Sequence, residues 1–200
     1  ARGFSFRTEG PLDMRMDSTR GESAADWLNR AAEQDIATVL HELGEERFAR
    51  RIARVIVRSR AQAPIATTKQ LAEIVAGAVP TRERSKDPAT RSFQAIRLHI
   101  NRELDELRAT LPQALEALAA HGRLVVISFH SLEDRIVKQF MRTQEQGKQL
   151  PPDLPVRHTE IESRLKIIGK PVRAGEAEVR RNPRARSAVL RVAEALGVAV

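Results

Sequence analysis

The hydrophobic period of the chain changes once, and this change restricts the fold more than any other feature. From residue 93 to residue 118, apolar side chains recur at steps of three or four, which predicts a long amphipathic helix. Pro112 removes a backbone donor, so we expect a kink or break near Thr110. Residues 124–127 then form an uninterrupted apolar run, which is typical of a strand covered on both faces in a parallel sheet.

The residues after this run complete an α/β pattern. Ser131 and Asp134 have the spacing of an N-terminal helix cap, so a helix is expected after a short loop. Residues 165–172 and 188–193 are predicted as two further strands, close enough in sequence for an antiparallel edge pair, with a short helical or irregular piece at 175–181 between them. The later half of the chain is therefore predicted to be an open α/β sheet.

The earlier part of the chain is predicted to be helical. Ser23 and Thr67 each begin a capping-box pattern that is followed by an apolar stripe at helical spacing. Gly44 marks a turn between the first helix and a second one just after it. We interpret residues 21–90 as a helical subdomain, in which residues 81–88 form an exposed polar loop.

The composition restricts the class of protein. The chain has no cysteine, which excludes disulfides, cysteine-bound zinc and thiol nucleophiles. No apolar stretch approaches the roughly 20 residues of a membrane-spanning helix and none resembles a signal peptide, so we expect a cytoplasmic protein with no membrane partner. The net charge of +8 favours an anionic partner such as nucleic acid. Most of the basic residues are arginine, a bias that GC-rich codon usage explains equally well.

One predicted helix carries a row of arginines without an acid between them: Arg47, Arg50, Arg51, Arg54 and Arg58. Such a face is either a solvated helix surface or a ridge that meets phosphate groups, and the spacing leaves both interpretations open. Aromatic side chains are scarce, which argues against a base-stacking platform.

Polar side chains lie next to the predicted strand ends, where ligands bind in open α/β sheets. Residues 128–131 close the first strand, and His130 among them is either a base or phosphate contact, or a partly buried helix cap. Residues 182–187 precede the last strand. Their arginines, Arg184 and Arg186, either bind an anion or lie in a solvated loop.

Residues 12–17 alternate acids with two methionines and one arginine. Two carboxylates four residues apart, Asp13 and Asp17, can hold a divalent ion on a helix face. The preceding Gly10 and Pro11 indicate instead an ordered loop in which the acids bond backbone amides or arginine, and we expect no metal. The sequence contains no glycine-rich phosphate loop and no common hydrolase motif.

Six segments resemble, in order, the signature blocks of one enzyme family: RGFSF (2–6), GPLDMRMD (10–17), GEERFARRIA (44–53), FQAIR (93–97), ISFHSLEDRIVK (127–138) and NPRARS (182–187). This is the RsmH or MraW family of S-adenosylmethionine-dependent methyltransferases, which modify a cytosine N4 in small-subunit ribosomal RNA. The blocks span nearly the whole chain. Because members of the family carry roughly a third of their length upstream of these blocks, the resemblance implies that this chain is the later two-thirds of such an enzyme, without the upstream cofactor loop.

The resemblance implies a fold and its partners. The fold is a Rossmann-like methyltransferase sheet, here incomplete with its later strands only. Residues 1–20 and 91–200 belong to that domain, and residues 21–90 are an inserted helical subdomain that helps to recognise RNA. S-adenosylmethionine is the implied co-substrate, and the small ribosomal subunit and its RNA are the implied partners. The main cofactor-binding residues are expected upstream of Ala1 and have no position here.

The resemblance also implies site residues, of which we favour Asp13 and His130 as contacts of the target base. The catalytic candidates are Asp13, Asp17, Ser128 and His130. The residues expected to bind substrate or RNA are Arg15, Phe129, Ser131, Arg47, Arg50, Arg51, Arg54, Asn182, Arg184 and Arg186. Asp13 and the corner at residues 129–131 are expected to line one pocket for a flipped nucleobase.

Two expectations concern the chain by itself. Without the early strands, the sheet is expected to have an unpaired edge and exposed apolar surface, which favours self-association. Without the cofactor loop, the chain is expected to bind S-adenosylmethionine weakly or not at all. The alternative to a methyltransferase is a noncatalytic basic module that binds RNA.

Overall fold

The computed structural model describes residues 2–80, 87–147 and 163–197. The chain divides into two compact units, residues 1–103 and 104–200, and each has its own apolar core. The predicted loop at 81–88 lies almost entirely outside the described residues, and the predicted subdomain boundaries at 21 and 90 stay predictions. No described helix is both long enough and apolar enough to cross a bilayer.

Five described helices build the first unit: α1 (Ala24–Arg30), α2 (Glu33–Gly44), α3 (Ala49–Arg60), α4 (Thr68–Ala78) and α5 (Thr90–Ile100). α2 packs against α3 and α5, and α3 also packs against α4. Their apolar faces meet in a core whose fully buried members include Leu28, Ile36, Leu40, Ile52, Ile56, Leu71 and Ile96. Leu12 and Met14 are buried in the same core, so the segment before α1 is packed with the helices.

Both predicted capping boxes are confirmed. The Asp26 amide donates to Ser23 Oγ at 3.1 Å, and the Asp26 carboxylate accepts from the Ser23 amide in return. Thr67 and Gln70 form the same reciprocal pair at the start of α4. These side chains satisfy backbone donors that the first turn of a helix leaves without partners.

The stretch that ends at Gly44 forms two helices where one was predicted. α1 ends at Arg30, and the two alanines that follow are extended. The Arg60 guanidinium donates to the carbonyl oxygens of Leu28 and Ala31 at 2.6 and 2.7 Å. It thereby satisfies acceptors at the C-terminus of α1 from a position about thirty residues away.

The predicted long helix is also divided, into α5 and α6 (Glu103–Glu116). The break lies at Asn101 and Arg102. Arg102 has a φ of 49°, and Asn101 Nδ2 donates to a carbonyl in the last turn of α5 at 2.9 Å. α6 continues through Pro112, so there is no break near Thr110, and the alternative of a kink there stays a prediction. A proline removes one hydrogen bond, whereas the left-handed backbone at Arg102 ends the helix.

The second unit continues from α6 with a small sheet, one long helix and two short helical segments. Its elements are β1 (Arg123–Ser128), α7 (Ser131–Gln146), β2 (Leu165–Ile167), β3 (Val172–Arg173), α8 (Glu176–Arg181), a 3-10 turn (Pro183–Ser187) and β4 (Val189–Ala195). β4 is central: β1 pairs with one of its edges, and β2 and β3 pair with the other. The described part of the second unit is therefore mixed α/β with an antiparallel sheet.

The prediction of parallel neighbours for β1 is wrong among the described strands. β1 runs antiparallel to β4, with Leu124 opposite Ala193 and Ser128 opposite Val189. β1 and β2 nevertheless point in the same direction, because both are antiparallel to β4. Since α7 connects them in sequence, β1, α7 and β2 form a β–α–β unit with β4 inserted between its strands.

The prediction that β1 is covered on both faces is wrong as well. Leu124 and Ser128 are buried, whereas Val125 and Ile127 are 53% and 52% exposed. Side chains alternate along a strand, so one face of β1 packs on the core of the second unit and the other is exposed. A continuous β-branched run therefore does not by itself establish burial on both faces.

The predicted strand over residues 165–172 is divided into β2 and β3. Gly169 between them has a φ of 67°, a left-handed conformation that glycine adopts without strain. The resulting turn lets both short strands pair with β4. The predicted antiparallel pairing is confirmed, but β4 lies in the centre of the described sheet and not in an edge pair.

Protonation of His99 is expected to destabilise the first unit. Its ring packs against Trp27 in a tilted arrangement, with centroids 4.4 Å apart. Burial lowers the pKa of His99 below its ordinary value of 6.5, although the charges of Glu22 and Asp35 oppose this. The folded chain thus takes up the proton less readily than the unfolded chain. The unfolding free energy is therefore highest above about pH 6.5 and decreases as the pH falls through the lowered pKa.

Urea unfolding followed by Trp27 fluorescence, at a series of pH values on both sides of 6.5, measures this effect. His99→Phe keeps an aromatic ring against Trp27 and removes the titrating group, so the variant should lose this part of the pH dependence. An identical pH profile for parent and variant would contradict the assignment.

Candidate functional site

Asp13 and Arg15 form a two-pronged ion pair in the loop before α1. Arg15 Nε donates to Asp13 Oδ1 at 2.6 Å, and Nη2 donates to Oδ2 at 3.0 Å. Nη1 of the same guanidinium donates to the Gly21 carbonyl at 3.1 Å. The hydrogen bonds from Arg15 lower the pKa of Asp13, although partial burial opposes this. Asp13 is therefore held ionised and acts as a hydrogen-bond acceptor only.

The backbone of this loop is fixed from two sides. Met14 is fully buried and has a φ of 61°, an uncommon value for a non-glycine residue. Its carbonyl accepts from Asn101 Nδ2 at 2.7 Å, and the Met16 amide donates to Asn101 Oδ1 at 2.7 Å. Gly3 packs so closely that an added Cβ would lie 2.3 Å from the Pro11 carbonyl oxygen. The loop therefore holds Asp13 and its partner in one geometry.

Asp17 bonds within the same loop. Its Oδ1 accepts from the Thr19 hydroxyl at 2.6 Å and from the Thr19 amide at 3.0 Å, and these bonds lower the pKa of Asp17. The interpretation as an ordered loop, whose acids bond amides and arginine, is confirmed. In the described ranges, no three His, Asp or Glu side chains come together in a way that would hold a metal ion.

His130 is the N-cap of α7. Its Nδ1 accepts from the Glu133 amide at 3.3 Å, and a Glu133 carboxylate oxygen accepts from the Phe129 amide at 2.8 Å. The predicted cap at Ser131 is wrong by one residue, since Ser131 is the first residue of the helix. The interpretation of His130 as a partly buried helix cap is confirmed, with 12% of its side chain exposed.

The His130 ring is oriented by Glu133. Because Nδ1 accepts a hydrogen bond, the neutral ring carries its proton on Nε2. Nε2 lies 3.3 Å from Glu133 Oε1 without hydrogen-bond alignment and has no other partner in the described part of the chain. Burial opposes the ionisation of Glu133, but the contacts with His130 and the Phe129 amide outweigh it and lower the pKa of Glu133.

A second two-pronged ion pair ties α7 to β4. Arg191 Nε and Nη2 donate to the two oxygens of Asp134 at 2.7 and 2.9 Å. Hydrogen bonds from Arg191 lower the pKa of Asp134, and the charges of Arg173 and Lys138 add to this. The expectation that Asp134 caps α7 is therefore wrong. The sequence did contain a signal for this ion pair, namely an arginine within an apolar strand, because a charge on a packed face needs a partner.

The second unit has two polar segments, residues 128–131 and 182–187. Both lie at the end of the sheet where β1 finishes and β4 begins. Ser128 is the register partner of Val189, so the 182–187 segment leads into β4 beside the point where β1 ends. Four of the predicted site residues are exposed at this end of the sheet: Phe129, Asn182, Arg184 and Arg186. This adjacency agrees with the expectation that both segments lie at sheet ends.

The arginine row lies in the first unit, on α3 and the turn before it. All of its members are exposed. Arg54 lies 3.8 Å from Glu33. Arg47, Arg50 and Arg51 make no hydrogen bond or ion pair within residues 2–80 and 87–103.

The Asp13 loop offers a fixed carboxylate whose side chain is 22% exposed. The β1–α7 corner (residues 129–131) offers the exposed Phe129 ring, whereas His130 Nε2 is buried and has no hydrogen-bond partner in the described part of the chain. Asp13 and His130 belong to different units, and the prediction that they line one pocket stays a prediction.

The β–α–β unit makes this an α/β protein, and the polar residues after its first strand lie where open sheets commonly bind ligands. The family model of the MraW methylase family matches residues 1–196. The chain belongs to this family.

Similar proteins include three named ribosomal RNA small subunit methyltransferase H. That of Chromohalobacter salexigens is 60% identical over 198 residues, which are 98% of this chain and 60% of the relative. That of Idiomarina loihiensis is 58% identical over 96% of this chain and 62% of the relative. That of Neisseria meningitidis serogroup B is 60% identical over 97% of this chain and 60% of the relative. The chain spans about three fifths of the length of these curated relatives.

The pair of Asp134 and Arg191 is expected to stabilise the second unit. Asp134→Asn removes the negative charge and leaves a guanidinium, only 18% exposed, without its partner. We expect the unfolding free energy near neutral pH to fall by about 2 kcal/mol. Because the folded pKa of Asp134 is lowered, this stabilisation is present above about pH 3.8 and is lost as the pH falls through the lowered value. Chemical denaturation of parent and variant at neutral and acidic pH measures it.

A matched control is Glu176→Gln, which removes the carboxylate of an exposed pair with Arg180 at 3.7 Å. Exposed pairs contribute little, so this variant should denature like the parent. Equal stability of Asp134→Asn and the parent at neutral pH would show that the pair does not stabilise the unit.

Proposed function

We propose that this chain carries the β1–α7 corner and the RNA-facing helical unit of a methyltransferase that acts on small-subunit ribosomal RNA in the cytoplasm. The methyl group passes from S-adenosylmethionine to the N4 amine of a cytosine. The observation that carries the proposal is the family match over residues 1–196, which includes both fixed polar loops. The names of the relatives favour methyl transfer over a noncatalytic RNA-binding module.

The Rossmann-like sheet implied by the resemblance is part of this proposal. The β1–α7–β2 unit supports it, because two strands of one direction joined by a helix are the building unit of such sheets. Its carboxyl end is where the β1–α7 corner lies, and that end is where ligands of open sheets bind.

The target amine sets the chemical requirement. The lone pair of a cytosine N4 is delocalised into the ring, so the amine is a poor nucleophile. A site must hold the amine in line with the methyl group, accept its hydrogen bond and exclude water. Asp13 suits the accepting role, since Arg15 keeps it ionised. The same pairing makes Asp13 a weak proton acceptor, so we assign it to orienting the amine.

The β1–α7 corner supplies the remaining contacts. Glu133 orients the His130 ring, whose Nε2 is a buried donor without a hydrogen-bond partner among the described residues, so we assign it a hydrogen bond that forms only when the base displaces its surroundings. Phe129 is 55% exposed beside it and offers an apolar face to the base. Ser128 is buried and Ser131 begins α7, so both support the backbone of the corner.

S-adenosylmethionine supplies the methyl group when it is bound. Its main binding residues are expected upstream of Ala1, so we assign no described residue to this co-substrate and derive no step through it. A metal ion has no role in the proposal.

Methyl transfer is expected to depend on Asp13 and on the imidazole of His130. Asparagine is a good N-cap, so His130→Asn keeps the start of α7 and removes the ring. Asp13→Asn keeps the shape of the loop residue and removes its charge. Each change should lower the rate by about a hundredfold, the scale of one positioned polar group. Incorporation of radioactive methyl into isolated small ribosomal subunits measures this, with the sequence placed in a protein of the relatives' full length.

Circular dichroism should show that both variants are folded. The matched control is Glu178→Gln on α8, which changes one exposed carboxylate in the second unit. Turnover like that of the parent in both site variants would overturn the site assignment and leave the family membership intact. An inactive parent on subunits that lack the modification would overturn the proposed reaction.

Self-association of the 200-residue chain is a further expected property. β1 pairs with β4 and with no other described strand, and its exposed face carries Val125 and Ile127. An open strand edge beside apolar side chains favours pairing with a second copy. Sedimentation velocity should show association at micromolar concentration, weakened in a Val125→Thr, Ile127→Thr variant. Met16→Thr, exposed in the first unit, is the control, and a monomer at all concentrations would contradict the expectation.

A further inference from the structure

A groove of about 520 Å³ lies between α2 and the start of α3 in the first unit. Thr38 and His41 line it from α2, and Arg47, Arg50 and Arg51 line it from the opposite side, with the half-buried Phe48 between them. The volume falls within the roughly 300–1,000 Å³ of ligand sites.

The three arginines of this groove are not used to hold the fold. None of them makes a hydrogen bond or an ion pair within the described part of the first unit. Two arginines farther along α3 differ: Arg54 lies 3.8 Å from Glu33, and Arg60 donates to two carbonyl oxygens of α1 and its end. One carboxylate, that of Glu42, is among the lining side chains. The groove therefore carries a net positive charge that the described fold leaves unneutralised.

This charge comes from side chains and not from the start of α3. Glu46 is 3% exposed, and its carboxylate accepts from the Phe48 amide at 3.0 Å. A buried carboxylate at this position offsets the positive end of the helix. An anion in the groove would be held by guanidinium forks, which match the geometry of phosphate oxygens.

We infer that the α2–α3 groove binds consecutive backbone phosphates of single-stranded RNA. Three guanidinium groups exceed what one phosphate group requires, and Arg47, Arg50 and Arg51 lie within about one helical turn of each other, so they suit neighbouring phosphates of a strand. The half-buried Phe48 ring gives the groove an apolar surface that suits a sugar or base and that an inorganic ion would not need. A positively charged groove that follows the backbone is typical of proteins that bind single strands. The choice of RNA rests on the proposed function, whereas the phosphate chemistry rests on the groove.

The first test replaces the three groove arginines. In the 200-residue chain, a variant with Arg47→Gln, Arg50→Gln and Arg51→Gln should bind a fluorescein-labelled, mixed-sequence oligoribonucleotide at least tenfold more weakly in fluorescence anisotropy. Each phosphate contact to a single strand contributes about 0.7 to the slope of log affinity against log salt concentration, so the slope should fall by about 2. The control variant, with Arg7→Gln, Arg30→Gln and Lys69→Gln, loses the same charge at exposed positions outside the groove and should keep the parent's slope.

The second test distinguishes RNA that binds within the groove from RNA that binds on the exposed arginine face of α3. Thr38→Glu adds a carboxylate from the α2 side and leaves all three arginines in place. If the strand lies in the groove, Thr38→Glu weakens binding, whereas Gln62→Glu, which adds the same charge at an exposed position outside the groove, does not.

The outcomes are distinct. Parent-like affinity and salt slope in the triple arginine variant would overturn the inference. Loss in the arginine variant with no effect of Thr38→Glu would place RNA on the α3 face and overturn the groove. Competition by polyglutamate as strong as that by RNA of equal charge would overturn the assignment to RNA. Because methyl transfer is not measured, failure of the methylation assay with these binding results intact would refute the proposed function alone.

Discussion

The second unit depends on β4, the described strand to which β1, β2 and β3 all form their hydrogen-bond ladders. Arg191 on β4 also pairs with Asp134, so the same strand fixes α7 to the sheet. This arrangement also places the two polar segments at one end of the sheet, because the register of β4 with β1 brings the 182–187 segment beside Ser128. β4 comes last among the strands, so the sheet requires contacts between residues far apart in sequence.

Features set by near neighbours were predictable from the sequence. The capping boxes at Ser23 and Thr67 each join residues three apart, and both are present. Features set by distant residues were not. The break after α5 involves Asn101, whose side chain bonds the backbone of Met14, 87 residues earlier. The antiparallel partner of β1 lies more than sixty residues later in the chain. A hydrophobic period indicates which side chains are buried, but it does not indicate the direction of the neighbouring strand.

The same division applies to the candidate site. The residue types allowed the loop around Asp13 to be interpreted as a set of acids bonded to amides and arginine, because Gly10 and Pro11 disfavour a helix there. They also allowed His130 to be interpreted as a cap. They did not show that the Glu133 carboxylate accepts a hydrogen bond from the Phe129 amide. Nor did they show that Asp134 pairs with Arg191 and therefore does not cap the helix. Both acids are spaced for capping, and only the packing of β4 decides which one caps.

The arginines of this chain differ in the partners that the fold gives them, so each has to be considered separately. Arg15 and Arg191 are held by bidentate carboxylates, and Arg60 is held by carbonyl oxygens. These side chains stabilise the fold and have few donors left for a ligand. Arg47, Arg50 and Arg51 have no such partners within the described part of the first unit. The charge of +8 therefore does not by itself measure affinity for nucleic acid, since arginines of equal charge differ in how many donors the fold has already used. Phosphate binding is expected where unpaired guanidinium groups outnumber carboxylates, and among the described residues of the first unit the α2–α3 groove meets that condition, with three arginines and one glutamate.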